Sequence, residues 1–158
     1  MKAKTHYGID IKETSQQNFT QKFGEQMKRQ GGGDYASGVY FKESNGKPTI
    51  WINKDWLDMK SKTPGVLRDV MKDIRIQHEI GHHIYEDILS PGDKMKLQVP
   101  DGYKDSPKEW FSDAYSAWQR GKNESWMGNV PQIMENKFKT KSQLTDIWNK
   151  ANKANNNK

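Results

Sequence analysis

His78-Glu79-Ile80-Gly81-His82 lies within residues 71–88, a stretch without proline whose apolar residues recur at helical spacing. On a helix, residues four apart share a face, so His78 and His82 can present two imidazoles to one metal ion. Glu79 is rotated by about 100° from His78 and therefore lies beside the ion, where a carboxylate can accept a proton from water. Gly81 lets another element approach the helix closely. The stretch predicts a helix that carries a catalytic zinc site.

The composition suits a small domain with an economical core. A length of 158 residues fits one domain, and we expect it over residues 1–150, followed by a flexible basic tail at 151–158. Hydrophobic residues make up only 32% of the chain, so the six Trp, six Tyr and five Phe must supply much of the buried area. Cysteine is absent, which excludes disulfides, Cys-type zinc sites and thiol catalysis.

The net charge of +6 is concentrated at the C-terminal end. From Asn136 onwards there are six lysines and one acid, a net of +5. This distribution favours a solvated tail over a specific nucleic-acid surface. No apolar run is long enough to cross a bilayer, and residues 1–10 lack the apolar core of a secretory signal. These features predict cytoplasmic action, or delivery by a route without a signal peptide; the oligomeric state cannot be read from the sequence.

Hydrophobic periodicity and turn residues predict the remaining elements. Thr63-Pro64 has the pattern of a helix start, and Ser90-Pro91 that of its end, so the two histidines fall in the C-terminal half of one long helix. Before this helix we expect a short strand near Tyr7–Ile11 and a helix over 14–30 that buries Phe19, Phe23 and Met27. A hairpin of strands 38–41 and 49–53 around Asn45-Gly46 and a helical turn near 53–59 follow. After it we expect a loop over 93–105, a helix from Ser106-Pro107 to Gly121, a loop over 122–135 and a weak helix over 134–152.

A catalytic zinc ion usually takes three protein ligands, so a third must come from elsewhere in the chain. The helix that follows Ser106-Pro107 is apolar around most of its circumference, which predicts that it is buried. Glu109 and Asp113 share one face of it, and a buried carboxylate is costly unless it is paired or bound to metal. Glu109 has the longer reach, which would leave Asp113 to hold a histidine N–H. Either acid could instead complement the helix dipole.

His78-Glu79-Ile80-Gly81-His82 followed by Glu109-Trp-Phe-Ser-Asp-Ala-Tyr, with a tyrosine shortly before, resembles the anthrax lethal factor-like family of zinc metalloproteases, which includes the Pro-Pro endopeptidases. The similarity covers roughly residues 35 to 120. It implies that His78, His82 and Glu109 are ligands of one Zn²⁺, that Glu79 is the general base and that Tyr103 stabilises the oxyanion, with Tyr115 as its rival. Ser112 stands where the family has alanine, and Tyr103 precedes Glu109 by six residues rather than seven.

The resemblance implies an α+β, zincin-like fold, with a small mixed sheet over an active-site helix and further helices. It also implies a zinc endopeptidase that acts on a protein or peptide substrate, with the segment Tyr35 to Phe41 as an edge strand that pairs with it. Two alternatives remain. One is a regulatory zinc protease of a mobile genetic element that cleaves a repressor, although its Glu-x-x-Ala-Asn pattern is absent here. The other is a non-catalytic, zinc-containing binding module.

Overall fold

A computed structural model describes residues 9–29 and 37–138, with the side chains of 27–29 and 138 excepted. The chain divides into two compact units, Asp10–Glu79 and residues 80–158 with 1–9. The expectation of one domain over 1–150 stays a prediction. The helices and strands are β1 (Asp10–Thr14), α1 (Gln16–Arg29), β2 (Gly38–Lys42), β3 (Pro48–Asn53), α2 (Lys54–Ser61), α3 (Arg68–His83), α4 (Pro91–Lys96), α5 (Pro107–Gln119) and α6 (Val130–Phe138).

The unit Asp10–Glu79 contains a mixed three-stranded sheet in the order β1-β3-β2. β1 pairs with β3 in parallel and β2 pairs with β3 antiparallel, as expected of a hairpin whose turn has Gly46 at φ 82°. Phe19 and Phe23 of α1 are buried against this sheet's aromatic residues. An α+β class and a small mixed sheet are therefore confirmed. The expected positions of Tyr7 and of the Met27 side chain lie outside the described residues.

The predicted start of the long helix is wrong. Thr63-Pro64 forms a turn, in which the Val66 N–H donates to the Thr63 carbonyl at 3.1 Å, and α3 begins only at Arg68. Gly65 adopts a φ of 83°, which takes the backbone out of the right-handed helical region and delays the helix. The expected end before Ser90-Pro91 is confirmed, but the last turn is not α-helical: α3 passes at Ile84–Ile88 into a π-helical turn that the Leu89 N–H closes on the Ile84 carbonyl.

The second unit is helical in its described part, and two of its helices differ from expectation. The predicted loop over 93–105 contains most of α4, which opens with a capping box between Ser90 and Asp93. The Lys137 ammonium, 2.7 Å from the Asp93 carboxylate, and the Ser90 backbone N–H lower the pKa of Asp93 to about 2. α6 begins at Val130 rather than near Met134. The rest of the weak helix and the basic tail lie outside the described residues.

α5 starts at Pro107 as predicted and buries most of its side chains, including Trp110 and Phe111. Among the described residues, no helix combines the length and apolar character that a bilayer crossing requires.

Candidate metal centre

Three neighbouring side chains on α3 form a buried group with metal-binding chemistry. His78, Glu79 and His82 are 6%, 4% and 7% exposed, and each offers one ligand atom within 4.8 Å of the others. Helical periodicity puts the two imidazoles on one face of α3 because the residues are four apart. Two imidazoles and a carboxylate are a donor set that suits a divalent ion. The predicted cluster is therefore present.

Glu109 of α5 lies against one member of this group, His82. Its Oε1 atom is 3.1 Å from Nε2 of His82. Two ligands of a tetrahedral zinc ion, with bonds of about 2.0–2.2 Å, are separated by about 3.3–3.5 Å. The observed separation is thus close to what two donors to one ion require. The structure brings together His82 and Glu109, two of the three residues that the family resemblance implies as ligands of one ion.

The expected burial of the two carboxylates on α5 is wrong. The Glu109 side chain is 49% exposed, and Asp113, one turn later, is exposed as well. The two acids do share a face, but that face is the polar stripe that α5 leaves uncovered while its aromatic residues are buried. Glu109 is therefore in contact with solvent on one side and with His82 on the other. The assignment of Asp113 to a supporting role stays a prediction.

The close approach at Gly81 is confirmed. A Cβ atom built on Gly81 would lie 2.7 Å from the Cα of Ser112, well inside van der Waals contact. Ser112 is fully buried, and its hydroxyl donates a hydrogen bond to the Lys108 carbonyl at 2.8 Å within α5. The missing side chain at Gly81 is what lets the first half of α5 come near enough for Glu109 to reach His82.

Gly81→Ala is expected to destabilise the protein by about 1–3 kcal/mol, because the added methyl group meets backbone atoms that cannot rotate away. Chemical denaturation followed by circular dichroism measures the change. Gly102→Ala is the matched control, since nothing lies within 4 Å of a Cβ at that position. Equal stability of the two variants would contradict the close packing of Gly81 on Ser112.

The two tyrosines differ sharply in accessibility. Tyr115 is fully buried, and its hydroxyl accepts a hydrogen bond from Nε2 of Gln119 at 2.8 Å. A substrate cannot contact it, so Tyr115 is a core residue. Tyr103 is 38% exposed in the 3-10 turn Asp101–Tyr103, and its carbonyl accepts from the Ser106 N–H directly before α5. Of the two, only Tyr103 is accessible to solvent.

The start of β2 lies beside Glu79, a feature that sequence reasoning missed. A Cβ on Gly38 would be 3.6 Å from Cγ of Glu79. β2 pairs only with β3 in the described sheet, so its outer edge is unpaired by any described strand. The expected edge strand is confirmed for residues 38–41; Tyr35 lies outside the described residues. No sequence signal links positions 38 and 79, which are far apart in the chain.

Comparison of the chain with protein-family models, with curated proteins and with solved structures gives no match.

Proposed function

We propose that this protein is a zinc-dependent endopeptidase with a zincin-like catalytic fold of the lethal factor-like type. The observation that carries the proposal is the buried His78–Glu79–His82 group together with the 3.1 Å approach of Glu109 to His82. In this proposal His78, His82 and Glu109 hold one Zn²⁺. When bound, the ion would polarise a peptide carbonyl and acidify water enough for it to lose a proton near neutral pH.

Glu79 is the general base. Its position directly after His78 on the helix gives it a carboxylate next to the ligands but on a different azimuth, rotated by about 100°. From there it accepts the proton of the attacking water and later returns it to the leaving amine. Burial of Glu79 keeps bulk water from competing for this carboxylate.

Tyr103 donates its phenolic hydrogen to the oxyanion that develops on the substrate carbonyl. Its half-exposed side chain on a short turn before α5 is accessible to a bound peptide. The substrate lies extended along β2, whose outer edge offers backbone N–H and C=O groups for strand addition. Because β2 starts beside Glu79, a peptide that pairs with this strand has its backbone near the general base.

Metal analysis of the purified protein tests the proposal. We expect about one zinc ion per chain, removed by a strong chelator, with hydrolysis of a mixed peptide library lost on removal and regained on addition of zinc. Absence of zinc even after loading would overturn the proposal, and zinc without any peptide hydrolysis would favour the binding-module alternative.

A further inference from the structure

An ion pair links the two helical segments that carry the proposed ligands His82 and Glu109. Nζ of Lys108 lies 2.8 Å from Oε1 of Glu86, and both side chains are 35% exposed. Glu86 follows His82 by four residues within the π-helical turn, and Lys108 directly precedes Glu109. Each partner of the ion pair is therefore a near neighbour in sequence of one ligand.

Packing restricts the Glu109 side chain only partly. Half of its side chain is exposed, so packing restricts its rotamers only weakly, and ordering such a long side chain costs conformational entropy. The turn that carries it is the first of α5, where Ser106 makes no side-chain capping bond. The Ser112 hydroxyl bonds to the Lys108 carbonyl within α5 and so does not tie this turn to another segment.

Helical spacing explains why Glu86 can serve. His82 and Glu86 are four residues apart in a helical run that passes from α3 into the π-helical turn, so they lie on one face of it. His82 and Glu86 thus point toward the same neighbour, where they meet Glu109 and Lys108 at 3.1 and 2.8 Å. Gly81 contacts Ser112 in addition. The residues that make these three contacts ascend in number along one segment while their partners descend along the other. The two segments are therefore antiparallel here, and the contacts fix their register.

We propose that Glu86 and Lys108 are positioning residues for the metal centre: their ion pair holds the first turn of α5 so that Glu109 is aimed at the ion bound by His82. The inference rests on the proposed function. An ion pair that is about one-third exposed is weak. Its effect on metal binding cannot exceed its own strength, which corresponds to a change of up to about 5-fold in affinity.

The sign of one substitution separates positioning from simple electrostatics. Lys108→Met removes a positive charge next to a cation site, which by Coulomb's law alone would tighten zinc binding. If the ion pair positions Glu109, the same substitution weakens zinc binding. Glu86→Gln weakens it on both views, so Lys108→Met is the decisive variant.

The experiment measures zinc affinity by competition with a chromophoric chelator, and the visible spectrum of the cobalt-loaded protein, for Lys108→Met, Glu86→Gln and the double variant. We expect each single variant to bind zinc about 2- to 5-fold more weakly, the double variant to be no weaker than the worse single, and the cobalt spectrum to change. Lys137→Met is the matched control, because it breaks a 2.7 Å pair of similar exposure between α6 and α4, which carry no ligand. Its affinity should equal that of the unchanged protein.

Unchanged or tighter zinc binding by Lys108→Met would overturn the inference while leaving the metal centre in place. An equal loss in Lys137→Met would overturn it too, since the effect would then follow from general destabilisation. Failure of the unchanged protein to bind zinc or cobalt would instead overturn the proposed metal centre, and this inference with it.

Discussion

Glu79→Gln is expected to abolish peptide hydrolysis while the protein keeps its zinc. The amide has nearly the size of the carboxylate but cannot accept a proton, so the general-base contribution of about 100- to 10,000-fold is lost. Because Glu79 is almost fully buried within the His78–Glu79–His82 group, the isosteric change avoids a cavity. The measurement is hydrolysis of a mixed peptide library followed by mass spectrometry, with zinc content determined on the same samples.

This variant also decides what Glu79 does, since its carboxylate is close enough to the imidazoles to serve as a ligand. Loss of zinc together with activity would make Glu79 a ligand rather than a base. Full activity in Glu79→Gln would contradict the endopeptidase mechanism. Glu135→Gln, an exposed position on α6, provides the control, and its activity and zinc content should be unchanged.

Glu109→Ala is expected to weaken zinc binding by more than about 100-fold, because a direct ligand contributes more than the supporting contacts that carry up to that factor. The physical basis is the 3.1 Å separation of its Oε1 from His82 Nε2. Stability should change little in the absence of metal, since half of the side chain is exposed. Equilibrium dialysis against zinc buffers measures the affinity.

Asp113→Ala is the matched control on the same face of α5, one turn further along. A small loss of affinity there fits a supporting role, and no loss fits a solvated acid. If Glu109→Ala retained its affinity while Asp113→Ala lost it, the third ligand would be Asp113 instead.

The local parts of the site could be predicted because they depend on spacing within one helix. Helical geometry alone fixes the positions of His78, Glu79 and His82 relative to one another. The absence of a side chain at Gly81 likewise predicts a close contact with another element. The sequence also predicts the start of α5 at Pro107, because proline suits the first helical position.

The remainder depended on tertiary contacts or on turn conformations that propensity does not decide. The sequence predicts a start of α3 that is too early, because Thr63-Pro64 fits the pattern of a helix start. The positive φ of Gly65, which prevents a helix there, is not visible in the sequence. α4 was missed although Ser90 and Asp93 have capping-box spacing, a signal that could have found it. The predicted burial of Glu109 is wrong because a mostly apolar helix still has one polar stripe. The sequence alone does not decide whether that stripe faces solvent or the core.

The distance along the chain between His82 and Glu109 has a consequence for how the site assembles during folding. His78 and His82 come together as soon as one helical turn forms, an event of sub-microsecond scale. Glu109 follows 27 residues later, so its arrival requires closure of a long loop, which is slower and opposed by chain entropy. A folding chain would first form a weak site of two histidines and would gain the third proposed ligand only when α5 docks. Under the proposed function, assembly of the zinc site would therefore be coupled to completion of the helical unit.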